Sequence, residues 1–141
     1  MFVLSKSSKE TRDLAKSFAN QIKSGCVIGL VGDLGSGKTV FAKGFIKAFG
    51  NKQKVLSPTF VLMKNYRTNQ KNTKIICHID YYRADVKDKI LQAQINEYIQ
   101  DKQVITIIEW AAKIKYFLPK NTLWIKFKNT KNENERRIQM N

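Results

Sequence analysis

The chain has 141 residues and a formal net charge of +15, with 43% hydrophobic and 11% aromatic residues. This length suits a single domain over residues 1–141, and the apolar content is enough for a core, which excludes an intrinsically disordered chain. Because no apolar run is long enough to cross a bilayer and no signal-peptide core follows the N-terminus, we expect a cytoplasmic protein with no membrane partner.

The positive charge favours association with acidic partners and leaves two interpretations open. Lysines account for 21 of the 26 basic residues and are scattered along the chain, which is typical of a general compositional bias. Proteins that read RNA commonly stack bases on arginine or aromatic side chains, and only five arginines are present. A basic RNA-binding module, in which a nucleotide acts only as a switch, therefore stays as one alternative.

The first half of the chain contains two predicted helices around one strand. A short apolar segment, Phe2–Leu4, precedes a capping-box pattern that begins at Ser7. Apolar residues at helical spacing follow, and we expect this helix to end at Gly25. Cys26–Val31 is a continuous apolar run, typical of a strand that is buried on both faces. After a glycine-rich segment, a second apolar stripe predicts a helix that stops at Gly50.

The second half alternates between strand-like and helix-like segments. Asp85–Gln100 has the periodicity of a helix. This alternation predicts an α/β fold with a mostly parallel sheet, helices on both faces and an antiparallel pair of strands at the C-terminus. The predicted strands are Thr59–Tyr66, Lys74–Tyr81, Val104–Ile108, Thr122–Phe127 and Arg136–Met140.

The segment from Gly32 to Thr39 matches the pattern G-x-x-x-x-G-K-T, between a predicted strand and a predicted helix. Glycines at these positions let successive backbone N–H groups point inward around phosphate oxygens, and the helix adds its positive end. The alternative is a glycine turn with an incidental Lys-Thr pair. The pattern predicts a single P-loop NTPase domain. Its expected nucleotide contacts are Asp33, Leu34, Gly35, Ser36, Gly37, Lys38, Thr39 and Val40.

Within this loop, Lys38 is expected to reach the β- and γ-phosphates, and Thr39 is expected to place its hydroxyl on Mg²⁺. Magnesium also needs carboxylate oxygens, and two acids follow apolar strands, where a parallel sheet gathers its ligands. These acids are Asp80 and Glu109. Either could orient the metal or a catalytic water, and either could instead cap the helix that follows.

The sequence favours ATP as the nucleotide. It contains no N-K-x-D guanine motif, no D-x-x-G switch motif and no arginine-rich lid of the kind found in nucleotide kinases. A small-molecule kinase with an acceptor pocket remains the alternative enzyme.

Four motifs in order resemble the TsaE (YjeE) family. They are Gly32–Thr39, Ser57-Pro58-Thr59-Phe60, His78-Ile79-Asp80-Tyr81-Tyr82-Arg83 and Ile108-Glu109-Trp110. The resemblance implies the Mg²⁺-dependent ATPase component of the bacterial machinery that installs threonylcarbamoyl on adenosine 37 of tRNAs reading ANN codons. Its implied partners are TsaB- and TsaD-like proteins, and it implies contact with tRNA only indirectly, through that complex.

The resemblance also implies roles for individual residues. Lys38 would grip the phosphates, and Thr39 and Glu109 would hold Mg²⁺. Asp80 would be the other essential acid, and Thr59 would belong to a switch loop beside the γ-phosphate, although a simple strand entry would also explain it.

Other positions have weaker assignments. Trp110 would lie near the nucleotide or in the core, and His78 would be a packed histidine or a catalytic one. Ser7, Ser8 and Thr11 would border the adenine, while Tyr82 and Arg83 would face a partner. Of the arginines, only Arg83 is a plausible internal source of an extra cation at the γ-phosphate, and we expect the missing group to come from a partner or from partner-induced closure of the Ser57–Phe60 loop. After Arg83 the chain departs from the family, because lysines are interspersed there and no glycine occurs.

Overall fold

The computed structural model describes residues 2–50 and 62–141. These residues form one seven-stranded sheet with helices on both of its faces. The strands are β1 (Phe2–Ser5), β2 (Val27–Val31), β3 (Met63–Arg67), β4 (Ile75–Asp80), β5 (Val104–Glu109), β6 (Leu123–Asn129) and β7 (Arg136–Met140), and the helices are α1 (Ser8–Ala19), α2 (Lys38–Ala48), α3 (Lys89–Gln100) and a short 3-10 helix (Ala111–Ile114).

The sheet is parallel in its centre and antiparallel at both edges. Its strand order is β1-β7-β6-β2-β5-β4-β3, and the pairings β6–β2, β2–β5 and β5–β4 are parallel. The α/β class and the antiparallel pair formed by β6 and β7 are thereby confirmed. Parallel pairing accounts for three of the six strand pairings, because β1 and β3 each pair antiparallel with a neighbour.

The core has two layers, one on each face of the sheet. Along β5, Ile105 and Ile107 pack on the side of α1 and α2, whereas Val104 and Ile108 pack on the side of α3 and the 3-10 helix. Alternate residues of a strand point to opposite faces, so a strand covered on both sides must be apolar throughout. This requirement explains the largely apolar sequences of β2 and β5, in which Thr106 and Glu109 of β5 are buried polar exceptions.

The first helix is shorter than predicted, because it ends at Ala19 and not at Gly25. The N–H groups of Gln21 and Ile22 bond to carbonyls only three residues back, which tightens the chain into a turn. Gly25 has a φ of +83° and lies against the backbone of Lys102, so it serves the entry to β2 instead. The N-cap of the predicted capping box is confirmed, since the Ser7 hydroxyl accepts the N–H of Glu10 at 3.1 Å, whereas the Glu10 carboxylate accepts the N–H of Lys6 at 2.7 Å.

The third helix also begins later than predicted, at Lys89 and not at Asp85. Asp88 is its N-cap, with a carboxylate oxygen 3.0 Å from the N–H of Leu91, and side chains of this type favour that position. The Asp85 carboxylate accepts the N–H of Lys87, which forms a separate turn before the helix. The 3-10 helix was not predicted. In the Thr59–Tyr66 prediction, residues 59–61 lie outside the described residues.

Candidate nucleotide-binding site

The glycine-rich loop joins the end of β2 to the start of α2. Gly35 and Gly37 have φ values of +74° and +105°, in the left-handed region that favours glycine. Gly37 is the N-cap of α2, and it offers no side chain to the N–H groups of the first helical turn. Since those N–H groups have no intrahelical acceptors, the loop leaves a helix terminus that suits an anion.

Lys38 is the first residue of α2, and its side chain turns back across this loop. Its ammonium donates to the carbonyl oxygens of Gly32 at 2.6 Å and Asp33 at 2.7 Å. The residue is only 4% exposed. Burial lowers the pKa of the Lys38 ammonium, and nearby carboxylates, chiefly Glu109, oppose this shift. The loop therefore holds a nearly buried cation that has no carboxylate in direct contact among the described residues.

Glu109 joins two elements at the edge of the sheet where β4 and β5 end. One carboxylate oxygen accepts the Thr39 hydroxyl at 2.9 Å, and the other lies 2.9 Å from His78 Nε2. Because an ionised carboxylate can only accept, His78 Nε2 carries the hydrogen of this contact. His78 Nδ1 is buried and has no hydrogen-bond partner in the part of the chain that the structure describes. His78 is thus a packed residue, which is one of its two predicted roles. Its hydrogen bond fixes the orientation of Glu109.

Asp80 ends β4 directly beside Glu109 in the sheet register. One of its carboxylate oxygens accepts the backbone N–H of Tyr82 at 2.9 Å. Burial raises the pKa of the Asp80 carboxyl above its usual range and outweighs the opposing effect of that N–H. Asp80 therefore keeps its carboxyl group in the cleft at an electrostatic cost.

Trp110 directly follows β5 and covers the loop. It has a φ of +60°, an uncommon conformation for a bulky residue. Its ring lies 4.3 Å from the Lys38 ammonium, a cation–π distance, and its centroid lies 4.8 Å from that of Tyr82. The left-handed turn aims the indole towards the loop, so Trp110 belongs to the site as well as to the edge of the core.

These groups line one cleft of about 570 Å³. It brings together most of the predicted nucleotide contacts, both acids and the aromatic pair. Asp33 contributes its carbonyl to Lys38, and Thr59 lies outside the described residues. The lining residues are Ser8, Leu34, Gly35, Ser36, Gly37, Lys38, Thr39, Val40, Asp80, Tyr82, Arg83, Glu109, Trp110 and Arg136.

Arg136 is the cleft residue that sequence reasoning missed. It lies at the start of β7, and a Cβ built on Gly37 would be 2.7 Å from its guanidinium nitrogen Nη1. The prediction that Arg83 is the sole internal candidate for an extra cation at the γ-phosphate overlooked Arg136, which reaches the cleft because strand pairing places β7 near β2, with only β6 between them. No motif marks Arg136, and its position follows only from the strand order.

The three polar residues predicted beside the adenine divide between two roles. Ser8 lines the cleft. Ser7 caps α1, and the buried Thr11 hydroxyl lies 2.8 Å from that of Ser5. The hydroxyl groups of Ser7 and Thr11 therefore hold the start of α1 in place.

Within residues 2–50 and 62–141, no helix has the length and apolar character needed to span a membrane.

Comparison with known proteins identifies the family. The family model described as "Threonylcarbamoyl adenosine biosynthesis protein TsaE" matches residues 5–138. The chain belongs to the TsaE family. It is similar to the Rickettsia bellii protein named tRNA threonylcarbamoyladenosine biosynthesis protein TsaE, with 38% identity over 80% of this chain and 76% of that protein. The Bacillus subtilis protein of the same name is 37% identical over 92% of this chain and 78% of its own length.

A solved structure supports both the family and the fold. The crystal structure of Bacillus subtilis YdiB superposes with a TM-score of 0.80 and 31% sequence identity, covering 99% of this chain and 83% of that one. Membership of the TsaE family makes this chain a P-loop nucleotide-binding protein of a tRNA modification pathway.

The raised pKa of Asp80 has a consequence for stability. A carboxyl whose pKa is higher in the folded state binds its proton more tightly there, so the free energy of unfolding falls as the pH rises through the window between the two pKa values. Asparagine cannot ionise and can still accept the Tyr82 N–H. We therefore expect Asp80→Asn to raise the thermal midpoint of the nucleotide-free protein at pH 7, and to raise it less in acid.

Asp85 provides a matched control, since its exposed carboxylate accepts the N–H of Lys87, also two residues ahead, at 2.8 Å. Asp85→Asn should give no such gain. A thermal midpoint for Asp80→Asn at or below that of the unchanged protein at pH 7 would contradict the assignment of desolvation as the dominant effect.

Proposed function

We propose that this protein binds and hydrolyses Mg·ATP in the cytoplasm, in support of threonylcarbamoylation of adenosine 37 in tRNAs that read ANN codons. In this proposal it acts with TsaB- and TsaD-like proteins. The observation that carries the proposal is the joint placement of an open helix N-terminus, a buried lysine and the Thr39–Glu109 pair in one cleft.

The phosphates are bound by the loop in this proposal. The N–H groups of the first turn of α2 point into the cleft, and Lys38 supplies a positive charge already directed across it. The carbonyls of Gly32 and Asp33 hold this ammonium in place, so little side-chain entropy remains to be lost when a phosphate arrives.

The residues present fit a magnesium ion. The Thr39 hydroxyl and the Glu109 carboxylate are hard oxygen donors, and they lie 2.9 Å apart at the cleft. Magnesium prefers such donors and commonly takes one or two protein oxygens together with phosphate oxygens and water. When bound, it neutralises charge on the phosphate oxygens. His78 holds Glu109 in the orientation that such a site needs.

Asp80 is proposed to orient the attacking water. The Tyr82 N–H fixes one of its carboxylate oxygens, which leaves the other available in the cleft. Burial raises the pKa of this carboxyl, and carboxyl groups with perturbed pKa values are common where protons are moved. The Thr59 side chain, in the predicted switch loop, stays a further candidate for this step.

The two arginines of the cleft belong to opposite sides of the loop. Strand order puts β4 and β5, with Asp80 and Glu109, on one side of β2, and puts β7 on the other. Arg83 follows β4 and is therefore on the side of the two acids, whereas Arg136 is on the side of Ser8 and α1. We assign Arg136 to the nucleoside end of ATP and Arg83 to the γ-phosphate end.

The two acids should have separable effects. Glu109→Gln keeps the shape of the side chain but removes the charge that would hold the metal, so it should raise the Mg²⁺ concentration needed for half-maximal ATP hydrolysis. Asp80→Asn should mainly lower the turnover rate at saturating Mg²⁺. Both effects can be measured as hydrolysis rates across a magnesium titration. A metal defect in the Asp80 variant, with none in the Glu109 variant, would reverse the two assignments.

The isolated chain should hydrolyse ATP slowly, and a TsaB–TsaD-like pair should stimulate it. Fast transfer usually needs an extra cation beside the γ-phosphate, and such a cation supplied by a partner is worth about 10³–10⁵ in rate. Arg83 is exposed, and no ion pair holds it within the described residues. We therefore expect the partner pair to raise turnover by at least about tenfold, either by supplying this cation or by positioning Arg83.

Two variants distinguish the roles of Arg83 and Arg136 in that assay. Arg83→Ala should reduce the stimulated kcat if the partners position Arg83, and Arg136→Ala should mainly raise KM for ATP. Fast hydrolysis by the chain alone, unchanged by the partner pair, would show that the site is already complete.

A further inference from the structure

The outer strands of the sheet leave one face uncovered. Ile125, Phe127 and Ile138 pack in the layer beneath α1 and α2. Side chains alternate along a strand. The residues next to these three on β6 and β7 therefore point away from the two helices, and so do alternate residues of β1. All of them are exposed except Trp124, which is half-buried. We call this surface the open sheet face, and it consists of Phe2, Leu4, Lys126, Lys128, Arg137 and Gln139.

The register arranges these six side chains in two rows across three strands. Lys128 is opposite Arg137, which is opposite Leu4, and Lys126 is opposite Gln139, which is opposite Phe2. Neighbouring strands are about 4.8 Å apart, so the three cations form a compact group. The surface spans three strands, so it can contact several charges of one partner.

The cations of this group lack acidic partners. Among the described residues, no carboxylate lies within 4.0 Å of Lys126, Lys128 or Arg137. Glu135, at the start of β7, lines the adjacent cleft with Lys128 and Arg137 but forms no ion pair with them. The Arg137 guanidinium lies 5.6 Å from the centre of the Phe2 ring, which supports it from one side.

Two like charges directly opposite each other destabilise a sheet, and Lys128 with Arg137 is such a pair. Asp13 on α1 lies within 4.0 Å of both Lys9 and Lys16, so these two lysines, unlike the cations of the open sheet face, have an acidic neighbour. An unfavourable arrangement of side chains that nothing else in the fold compensates is expected at a binding surface. The open sheet face therefore favours an external anion.

We propose that the open sheet face binds the phosphate backbone of tRNA. A compact group of cations suits a chain of phosphates, Gln139 adds hydrogen-bonding groups, and the 58% exposed Phe2 ring offers a surface for an unpaired base. The charge pattern alone selects a polyanion, and the choice of tRNA rests on the proposed function. The surface is distinct from the nucleotide cleft, so tRNA can be bound while ATP is present.

The test compares two triple variants of equal charge. Lys126→Gln, Lys128→Gln and Arg137→Gln together neutralise the open sheet face, whereas Lys87→Gln, Lys89→Gln and Lys102→Gln remove three exposed cations at and beyond the ends of α3. Binding of an unmodified tRNA transcript that reads an ANN codon is measured for each at several salt concentrations. Thermal melting confirms that both variants fold.

Neutralising the open sheet face should weaken tRNA binding by at least about tenfold at ~0.1 M salt, and should reduce the slope of log K against log salt by about two to three. The α3 variant should stay within about threefold of the unchanged protein. Equal losses in the two variants would overturn the proposal, because the overall charge of the protein would then explain binding. Tight binding of polyglutamate at this face, with no binding of tRNA, would also overturn it.

Binding of Mg·ATP is measured on the same samples. It should be unchanged in the open-face variant, because none of the three residues lines the nucleotide cleft. If the unchanged protein binds Mg·ATP but no tRNA, this inference is refuted and the proposed function is not affected.

Discussion

The hydrogen bond from Thr39 to Glu109 joins the first turn of α2 to the end of β5, and the arrangement of the site depends on it. It can form because β2 and β5 are parallel and in a register that places Leu30 beside Glu109. The residues from Gly32 to Gly37 are then sufficient to join the end of β2 to the start of α2, beside the end of β5. A shift of one residue in this register would turn Glu109 to the opposite face of the sheet and separate the two groups.

The groups around this bond are arranged at some expense to stability. Lys38 is nearly buried, Asp80 keeps a carboxyl in a desolvated position, and Trp110 has a left-handed backbone. His78 gives one ring nitrogen to Glu109, while its other is buried without a partner among the described residues. Unfavourable features of this kind cluster at functional sites, where the surrounding fold holds them in place. Here the parallel strands and the α1–α2 layer provide that support.

Local sequence patterns predicted the parts of the site that are local in the chain. The loop, its lysine and its threonine lie within eight residues, and both acids follow apolar strands, so spacing and periodicity were sufficient for them. Short motifs in order likewise indicated the resemblance to the TsaE family, which the family model over residues 5–138 confirms.

Arg136 and the contact between His78 and Glu109 could not be predicted, because both depend on strand order and register. A periodic pattern indicates that a strand exists but does not say which strand lies beside it. The same limit applies at the edges of the sheet. Phe2–Leu4 was too short to be recognised as a strand, and it forms β1 only because β7 offers it a partner. The start of α3 was misplaced because the carboxylates of Asp85 and Asp88, which accept backbone N–H groups, decide that boundary.

Calorimetric titration of Mg·ATP into the protein shows whether the loop and its lysine form a nucleotide site. We expect one ATP per chain and at least about tenfold weaker binding by Lys38→Ala, since a hydrogen bond to a charged group contributes ~1.5–3 kcal/mol. Lys43→Ala, on the same helix but outside the cleft lining, should bind as the unchanged protein does. No binding by the unchanged protein, or equal affinity after Lys38→Ala, would show that the loop and its lysine do not form a nucleotide site.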